Sequence, residues 1–449
     1  MAIVCSGHRV SIPLSDRGWL PLNRRGGPCS PFPSSESRPS AMADVLYRDR
    51  LRADSIQKGI NGTDAAKRGD VTTVPTRLGS SLHTLEYVVT VGLGTPAVTQ
   101  TMLMDTGSDI PWVQCDPCPG RTCHPQKDTF FNPARSSTYS ALRCGSTACK
   151  GLDRDGNGCS RRRRCQYIVN YGDGSNTTGT YSADKLTLTP SFAVRNFRFG
   201  CSHAAQLFSD RADGLMGLGG GSQSLVSQMA EKVFSYCLPP TASYSGFLTL
   251  GVPRRPPASS SSRFVVTPMY KIDTFYLVLL EGFTVAGRRL RVPPSAFAAG
   301  AVMDSGTVVT RLPPKAYRVL RAAFRKEMRM FPRVAPPSAI FDTCFNLSGD
   351  VKVPSVAVVF ERGATVELDQ SGIILDGCLA FASNGDDESA GIIGNVQQRT
   401  LEVLYDVGGR TVGFRRELTG TRWTFRQWNR TDGGGKQLAN HLPRMHFGF

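Results

Sequence analysis

The sequence predicts an all-β protein with a few short helices, folded as two similar lobes on either side of a central cleft. Its 449 residues are too many for one small core, and its 46 glycines and 29 prolines are typical of short strands joined by turns. Each half of the chain contains an apolar strand that ends in an Asp-[Thr/Ser]-Gly turn. A segment rich in proline and serine, residues 253–263 (PRRPPASSSSR), separates the two halves.

Changes in composition divide the chain further. The first part is polar and basic, and within it residues 42–57 (MADVLYRDRLRADSIQ) are compatible with a helix. Strand-like patterns begin at Glu86, and an amphipathic helix is predicted at residues 314–330, bounded by prolines. We therefore expect five segments: a separable N-terminal segment (1–73), a first lobe with a Cys-rich insertion (74–252), a linker (253–263), a second lobe (264–416) and an atypical tail (417–449).

The two halves repeat one pattern. In the first half, residues 104–108 (MDTGS) end a strand and residues 213–218 (DGLMGL) follow later. In the second half, residues 303–307 (MDSGT) are followed by residues 391–394 (GIIG). The first half is longer between its two motifs, and its surplus fits the Cys-rich stretch that the second half lacks. Two lobes of similar structure, one with an insertion, are the natural interpretation.

The two Asp-containing turns can face each other across a pseudo-twofold axis. Glycine in the third position lets each backbone turn tightly and approach its counterpart. The hydroxyl in the second position can tie the two turns together, and the hydroxyl in the fourth can bind the outer carboxylate oxygen. The residues in these supporting roles are Thr106, Gly107 and Ser108 in the first turn and Ser305, Gly306 and Thr307 in the second.

Asp105 and Asp304 are therefore the predicted catalytic pair. Two carboxylates held close together cannot both ionise cheaply, so they share a proton. The ionised member can act as general base toward a water between them, and the protonated member can stabilise the oxyanion that forms on a peptide carbonyl. One Asp-Thr-Gly alone is usually a plain turn, but the repeated pattern is a specific signal.

Between residues 27 and about 414 the sequence resembles the pepsin-like aspartic proteases, and among them the nepenthesin-like plant branch. The motifs that carry the resemblance are EYVVTVGLGTP, DTGSD followed by WVQC, YGDGS, FGC, GLMGLGGG, FSYCL, DSGTVVTRLPP, FDTCFNLSG, CLAFA and IIGNVQQRTLEVLYDVGGRTVGF. The resemblance implies a bilobal pepsin-like fold with lobes of six-stranded-barrel type. It also implies an endopeptidase that is monomeric, acts on polypeptides at acidic pH, needs no cofactor or metal, and is made with a propeptide.

The resemblance also assigns residues outside the two turns. Tyr171, Gly172 and Asp173 match the flap, a hairpin that closes over the substrate and excludes water. Trp112 matches the tryptophan that supports the flap tyrosine. Pro111 departs from the family pattern, because a proline in the following strand removes a backbone N–H. Two outcomes stay open: the proline is tolerated at an edge or bulge, or it shifts Trp112 and weakens flap closure.

Thirteen cysteines favour an oxidising compartment, so we expect the secretory route with an extracellular or vacuolar destination. The first 24 residues lack the apolar core of a signal peptide, and N-glycosylation sequons at Asn61, Asn176, Asn346 and Asn429 support secretion only mildly. Spacing alone leaves the cysteine connectivity open. The pairs implied by the resemblance are Cys115–Cys118, Cys123–Cys201, Cys144–Cys165, Cys149–Cys159 and Cys344–Cys378.

Other functions are less consistent with the sequence. The net charge of +17 is scattered and accompanies no nucleic-acid-binding motif, so we expect no nucleic-acid partner. The spacing of Cys115, Cys118, Cys123 and His124 resembles a zinc knuckle, but no second pair at zinc spacing follows. No apolar run is long enough for a membrane span. The main alternative is a two-lobe relative with little or no catalytic activity that binds or inhibits another enzyme.

Overall fold

The computed structural model describes residues 19–24, 39–61, 86–118, 122–189, 192–208, 211–240, 245–251, 263–347 and 351–416. Strands dominate these residues and build two lobes, which confirms the predicted fold class. No helix within the described ranges is long and apolar enough to cross a membrane. The predicted tail, and all of the predicted linker except Arg263, lie outside the described residues.

The elements before residue 251 belong to the N-terminal segment and to the first lobe. They are β1 (Trp19–Arg24), α1 (Pro39–Asn61), β2 (Tyr87–Leu93), β3 (Val98–Asp105), β4 (Trp112–Gln114), β5 (Ser140–Ala141), α2 (Thr147–Lys150), β6 (Gly156–Cys159), β7 (Cys165–Asn170), β8 (Asn176–Thr189), β9 (Phe192–Gln206), β10 (Gly214–Gly217), α3 (Leu225–Gln228), β11 (Val233–Cys237) and β12 (Ser245–Leu250).

The elements of the second lobe follow. They are β13 (Val265–Pro268), β14 (Tyr270–Ile272), β15 (Phe275–Val278), β16 (Leu280–Val285), β17 (Arg288–Arg289), β18 (Ala301–Met303), β19 (Thr310–Leu312), α4 (Pro314–Glu327), β20 (Arg333–Val334), β21 (Cys344–Phe345), β22 (Val356–Phe360), β23 (Ala364–Glu367), α5 (Gln370–Ile373), β24 (Ile374–Leu375), β25 (Cys378–Leu379), β26 (Phe381–Ser383), β27 (Gly391–Ile393), β28 (Leu401–Asp406) and β29 (Thr411–Arg416).

The sequence repeat corresponds to a repeated arrangement of strands. In the first lobe β3 runs parallel to β10, with Gly217 opposite Asp105, and β10 also pairs with β4. In the second lobe β18 runs parallel to β27, with Ile393 opposite Met303, and β27 also pairs with β19. Gly214 is required here, because a Cβ on it would lie 1.8 Å from the carbonyl oxygen of Trp112. The later motif of each half therefore supports the strand that carries the aspartate.

The two lobes share a sheet and an aromatic core. Strand β11 of the first lobe pairs with β28 of the second, with Tyr236 opposite Val403. Around this junction the rings of Phe234 and Tyr405 stack with their centroids 4.5 Å apart, and both side chains are fully buried. This contact therefore joins the two lobes at the sheet that they share.

Helix α1 is amphipathic, and its apolar face packs on the second lobe. The buried side chains Leu46, Ala53 and Ile56 fall at helical spacing. Leu46 joins a cluster with Val308 and Val309, and the other two join a cluster around Leu277, Val302 and Ile392. The segment that was predicted to be helical and separable is thus docked on the lobe that carries Asp304.

Two local predictions can be compared with the structure. The amphipathic helix predicted at residues 314–330 is α4, with Tyr317, Leu320 and Phe324 buried. Pro111 lies one residue before β4, and its carbonyl oxygen accepts a hydrogen bond from the backbone N–H of Gly200. The proline therefore lies outside the strand, and Trp112 still contacts the Tyr171 hydroxyl, which agrees with the alternative in which the proline is tolerated.

Five disulfides join all ten of the predicted cysteines, but four pairs differ from those implied by the resemblance. The disulfides are Cys115–Cys201, Cys118–Cys123, Cys144–Cys159, Cys149–Cys165 and Cys344–Cys378. Only the last was expected, so the pairing of Cys115 with Cys118, of Cys123 with Cys201, of Cys144 with Cys165 and of Cys149 with Cys159 was wrong.

Strand register and burial explain the corrected pairs. Strand β4 runs parallel to β9 with Val113 opposite Cys201, so Cys115 at the end of β4 lies beside Cys201. Cys118 then bonds to the nearby Cys123. The cysteines whose spacing resembles a zinc knuckle are therefore joined in disulfides. In the insertion, Cys165 and Cys149 pack in one hydrophobic cluster, whereas Cys159 is exposed and bonds to Cys144 outside it.

Candidate active site

The two Asp-containing turns meet at the centre of the cleft and are bonded to each other. The backbone N–H of Thr106 donates to Ser305 Oγ over 3.1 Å, and the backbone N–H of Ser305 donates to Thr106 Oγ1 over 2.9 Å. Each of these hydroxyls also donates to the carbonyl oxygen just before the opposite aspartate, at Met303 and Met104. The hydroxyl residues predicted to tie the turns together therefore do so reciprocally.

Each carboxylate is held by its own turn in the same way. Asp105 accepts hydrogen bonds from the backbone N–H of Gly107 at 2.9 Å and from Ser108 Oγ at 2.6 Å. Asp304 accepts them from the backbone N–H of Gly306 at 3.0 Å and from Thr307 Oγ1 at 2.5 Å. Both aspartates are almost completely buried, so their positions are fixed by the turns and not by solvent.

A guanidinium group lies between the two carboxylates. Arg52 of helix α1 donates from Nη2 to Asp105 Oδ1 at 2.5 Å and to Asp304 Oδ1 at 3.0 Å, and from Nε to Asp304 Oδ2 at 2.8 Å. Its side chain is 15% exposed. This contact has the geometry of a planar donor group binding carboxylates at more than one point. Helix α1 therefore fills the space between the two carboxylates.

The environment moves the pKa values of the two aspartates apart. Burial raises the pKa of Asp105; the charge of Arg52 opposes this rise, and the charge of Asp304 adds to it. Burial would also raise the pKa of Asp304, but the charge and hydrogen bonds of Arg52, with those of Thr307 and Gly306, hold that pKa below its ordinary value. This difference arises with Arg52 in place, since Arg52 makes two hydrogen bonds to Asp304 and one to Asp105.

The predicted flap lies over this site. Strands β7 and β8 form a hairpin with Asn170 opposite Asn176, and its turn is closed by a hydrogen bond from the backbone N–H of Gly174 to the carbonyl of Tyr171. Trp112 Nε1 donates to the Tyr171 hydroxyl at 2.7 Å. Asp173 stays within the turn, where it accepts bonds from the N–H and the hydroxyl of Ser175.

The flap also touches helix α1. A Cβ on Gly172 would lie 2.4 Å from the Cβ of Ser55 and 3.0 Å from the Cα of Arg52. The absence of a side chain at position 172 therefore lets the hairpin close on the helix. In this structure α1 is enclosed between the predicted flap and the two Asp-containing turns.

A second polar contact anchors the same helix, and sequence reasoning did not find it. Asp49 accepts hydrogen bonds from the backbone N–H groups of Val308 and Val309 and from Arg311 Nη2, the last at 2.7 Å. Asp49 and Arg52 are three residues apart and lie on one face of α1, as their spacing allows. That spacing was visible in the sequence, but many basic helices contain it, and only the fold identifies its partners.

Comparisons with known proteins show the family to which this chain is similar. Family models described as "Xylanase inhibitor N-terminal" and "Xylanase inhibitor C-terminal" match residues 87–252 and 275–416. An aspartyl protease family protein of Arabidopsis thaliana is 42% identical over 414 residues, which cover 88% of this chain and 86% of the relative. The aspartic proteinase nepenthesin-1 of Nepenthes gracilis is 35% identical over 344 residues, covering 73% of this chain and 77% of the relative.

Solved structures show the same fold. The crystal structure of edgp has a TM-score of 0.61 at 21% identity and matches 74% of this chain and 91% of its own. The crystal structure of basic 7S globulin from soybean has a TM-score of 0.58 at 20% identity and matches 73% of this chain and 91% of its own. At these identities the likeness concerns the fold alone.

Proposed function

Since this chain belongs to the pepsin-like family of plant aspartic proteases, we propose that it is an endopeptidase that hydrolyses polypeptides through Asp105 and Asp304. One observation carries the proposal. The two turns hold their carboxylates in equivalent hydrogen-bonding environments, close enough for one guanidinium to bind both. A merely structural pair of buried aspartates would not need this mirrored support.

In the proposed reaction a water takes the position between the carboxylates that Arg52 now occupies. The ionised carboxyl removes a proton from this water, which attacks the carbonyl carbon of the scissile peptide bond. The protonated carboxyl donates a hydrogen bond to the oxygen on which negative charge develops. The tetrahedral intermediate then collapses, the C–N bond breaks, and the leaving nitrogen takes up the proton that the carboxyl removed from the water. Tyr171 and the flap exclude bulk water during these steps.

The same reasoning makes helix α1 part of an inhibitory propeptide. With Arg52 bound to both carboxylates and α1 enclosed by the flap, a polypeptide cannot reach the catalytic pair. The protein would therefore be made as a zymogen and become active when the segment up to about residue 73 is removed. Five disulfides in the described residues favour the secretory route for this zymogen.

A binding protein or enzyme inhibitor is the second candidate, because the matching family models are described by xylanase inhibition. The complete catalytic pair favours the enzyme. An inhibitor would need a binding surface and would have no use for two mutually supported catalytic turns closed by a removable helix.

Cleavage of a denatured protein at acidic pH, by the processed chain and with or without pepstatin, tests the proposal. We expect pepstatin-sensitive cleavage that is lost in Asp105→Asn and in Asp304→Asn, while both variants stay folded. Glu367→Gln is a matched control, because it makes the same carboxylate-to-amide change in a side chain that is 70% exposed. Cleavage at the wild-type rate by either Asp variant would contradict the catalytic assignment. A folded, processed and inactive wild type would favour the binding protein.

A further inference from the structure

A buried site for a carboxylate lies next to the catalytic pair in the second lobe. Its donors are the backbone N–H groups of Val308 and Val309, four and five residues past Asp304, and the guanidinium of Arg311 on β19. In this structure the carboxylate is that of Asp49, which is 4% exposed. Arg311 is 3% exposed, and Asp49 is its ion-pair partner among the described residues.

The occupant of this site does not belong to the mature lobe. Asp49 lies on helix α1, which leaves the cleft if the proposed function is right, and the inference therefore rests on that function. The removal of α1 would leave the two N–H groups without the only acceptor that the described residues provide. It would also leave Arg311 without its ion-pair partner, and the Nε of Arg311 has no hydrogen-bond partner within the described part of the chain. With α1 gone these donors face the cleft, where a carboxylate that replaces that of Asp49 would form the same charge-assisted hydrogen bonds.

We propose that this site binds an aspartate or glutamate side chain of the substrate, so that the mature enzyme prefers peptides with an acidic residue near the scissile bond. The donor set matches a carboxylate, since two backbone N–H groups and a guanidinium together supply charge and direction. The neutral amide of an asparagine or glutamine side chain fits less well, because its NH₂ group would face some of these donors and could not accept their hydrogen bonds. Arg311 is in this role a specificity-determining residue, and it takes no part in the chemical step.

The spacing within α1 locates the acidic residue along the substrate. Asp49 and Arg52 are three residues apart on one face of α1, so their Cβ atoms lie about 5–6 Å apart. Arg52 occupies the catalytic pair, where the scissile bond must lie. An extended peptide advances about 3.3 Å per residue. The acidic side chain therefore belongs one to three residues from the scissile bond.

Matched peptides test this preference. Each peptide carries a single Asp, or in its partner a single Asn, at one of the three positions on either side of the scissile bond, and the processed enzyme cleaves them at a pH of about 5.5, where a free Asp is ionised. We expect kcat/KM for the Asp peptide to exceed that for the Asn peptide by about tenfold or more at one position, as for a hydrogen-bonded charge. Equal cleavage of every pair would overturn the inference and leave the proposed protease intact. Failure to cleave any peptide would overturn both.

Variants connect the preference to Arg311. We expect Arg311→Met to reduce the Asp-to-Asn ratio to about twofold or less, and Arg311→Lys to retain part of it, because lysine keeps the charge without the planar fork. Arg318→Met, at an exposed position on α4, makes the same change in charge and should keep the wild-type ratio. An unchanged ratio in Arg311→Met would contradict the assignment.

A measurement without any change to the enzyme covers the case in which Arg311→Met does not fold. A synthetic peptide of residues 39–61 is added to the processed wild type as an inhibitor, and it is compared with the same peptide carrying Asp49→Asn. We expect the inhibition constant to rise about tenfold or more for the variant peptide, because the carboxylate site is open in the mature cleft. Equal inhibition by the two peptides would contradict an open carboxylate site.

Discussion

Replacement of Arg52 by glutamine in the full-length chain should open the cleft. Arg52 makes three hydrogen bonds to two buried carboxylates, and its side chain is 15% exposed. Loss of one partner from a buried ion pair typically costs about 3–5 kcal/mol. The partial exposure favours the lower end, and about 3 kcal/mol corresponds to a change of roughly 100-fold in the ratio of closed to open molecules.

Pepstatin binding measures this change, because an inhibitor that binds only the open cleft has an apparent affinity that scales with the open fraction. We expect full-length Arg52→Gln to bind pepstatin about 100-fold more tightly than the full-length wild type, with the chain verified as intact after the measurement. Arg50→Gln is the matched control, since it removes the same charge from an exposed position on α1. Equal binding by wild type, Arg50→Gln and Arg52→Gln would refute the view that Arg52 holds the cleft shut.

Three further substitutions follow from individual contacts. Gly172→Ala places a Cβ 2.4 Å from that of Ser55, which would push the flap away from α1. Full-length Gly172→Ala should therefore bind pepstatin more tightly than wild type. Unchanged binding would show that the flap and α1 separate easily. Trp112→Phe removes the donor to the Tyr171 hydroxyl, and kcat/KM of the processed enzyme should fall roughly 3- to 10-fold, as for one neutral hydrogen bond. Burial raises the pKa of Asp213 to about 7, so the folded protein binds a proton there more tightly than the unfolded chain does. The stability that this proton adds is complete below the unfolded pKa of about 3.9 and is lost as the pH rises through about 7. The free energy of unfolding should therefore fall by about 4 kcal/mol across this range, and Asp213→Asn should flatten the dependence in urea titrations at several pH values.

The features that the sequence predicted well are those encoded in contiguous residues. Each Asp-containing turn has its aspartate, its glycine and its hydroxyl within four positions, so the local pattern predicts the hydrogen bonds that Ser108 and Thr307 make. The strand before each turn is apolar because it is buried between neighbouring strands. Repetition in both halves then predicts that the two turns face each other.

The features that could not be predicted depend on register between distant segments. The disulfide between Cys115 and Cys201 follows from the parallel pairing of β4 with β9, which no local pattern reveals. Similarly, the contact of Arg52 with Asp304 joins residues 252 positions apart. The sequence predicts a basic helix before residue 60, but its choice of docking surface depends on the assembled lobe.

A guanidinium between the two carboxylates would stop catalysis in two separate ways. Its atoms occupy the position of the attacking water, because Nη2 of Arg52 binds one oxygen of each aspartate. Its charge also favours ionisation of both carboxylates, whereas hydrolysis needs a pair that shares one proton. Arg52→Lys separates these effects, since lysine keeps the charge but has no planar fork. If full-length Arg52→Lys binds pepstatin as tightly as Arg52→Gln does, the shape of the guanidinium closes the cleft. If it binds as weakly as wild type, the positive charge is sufficient.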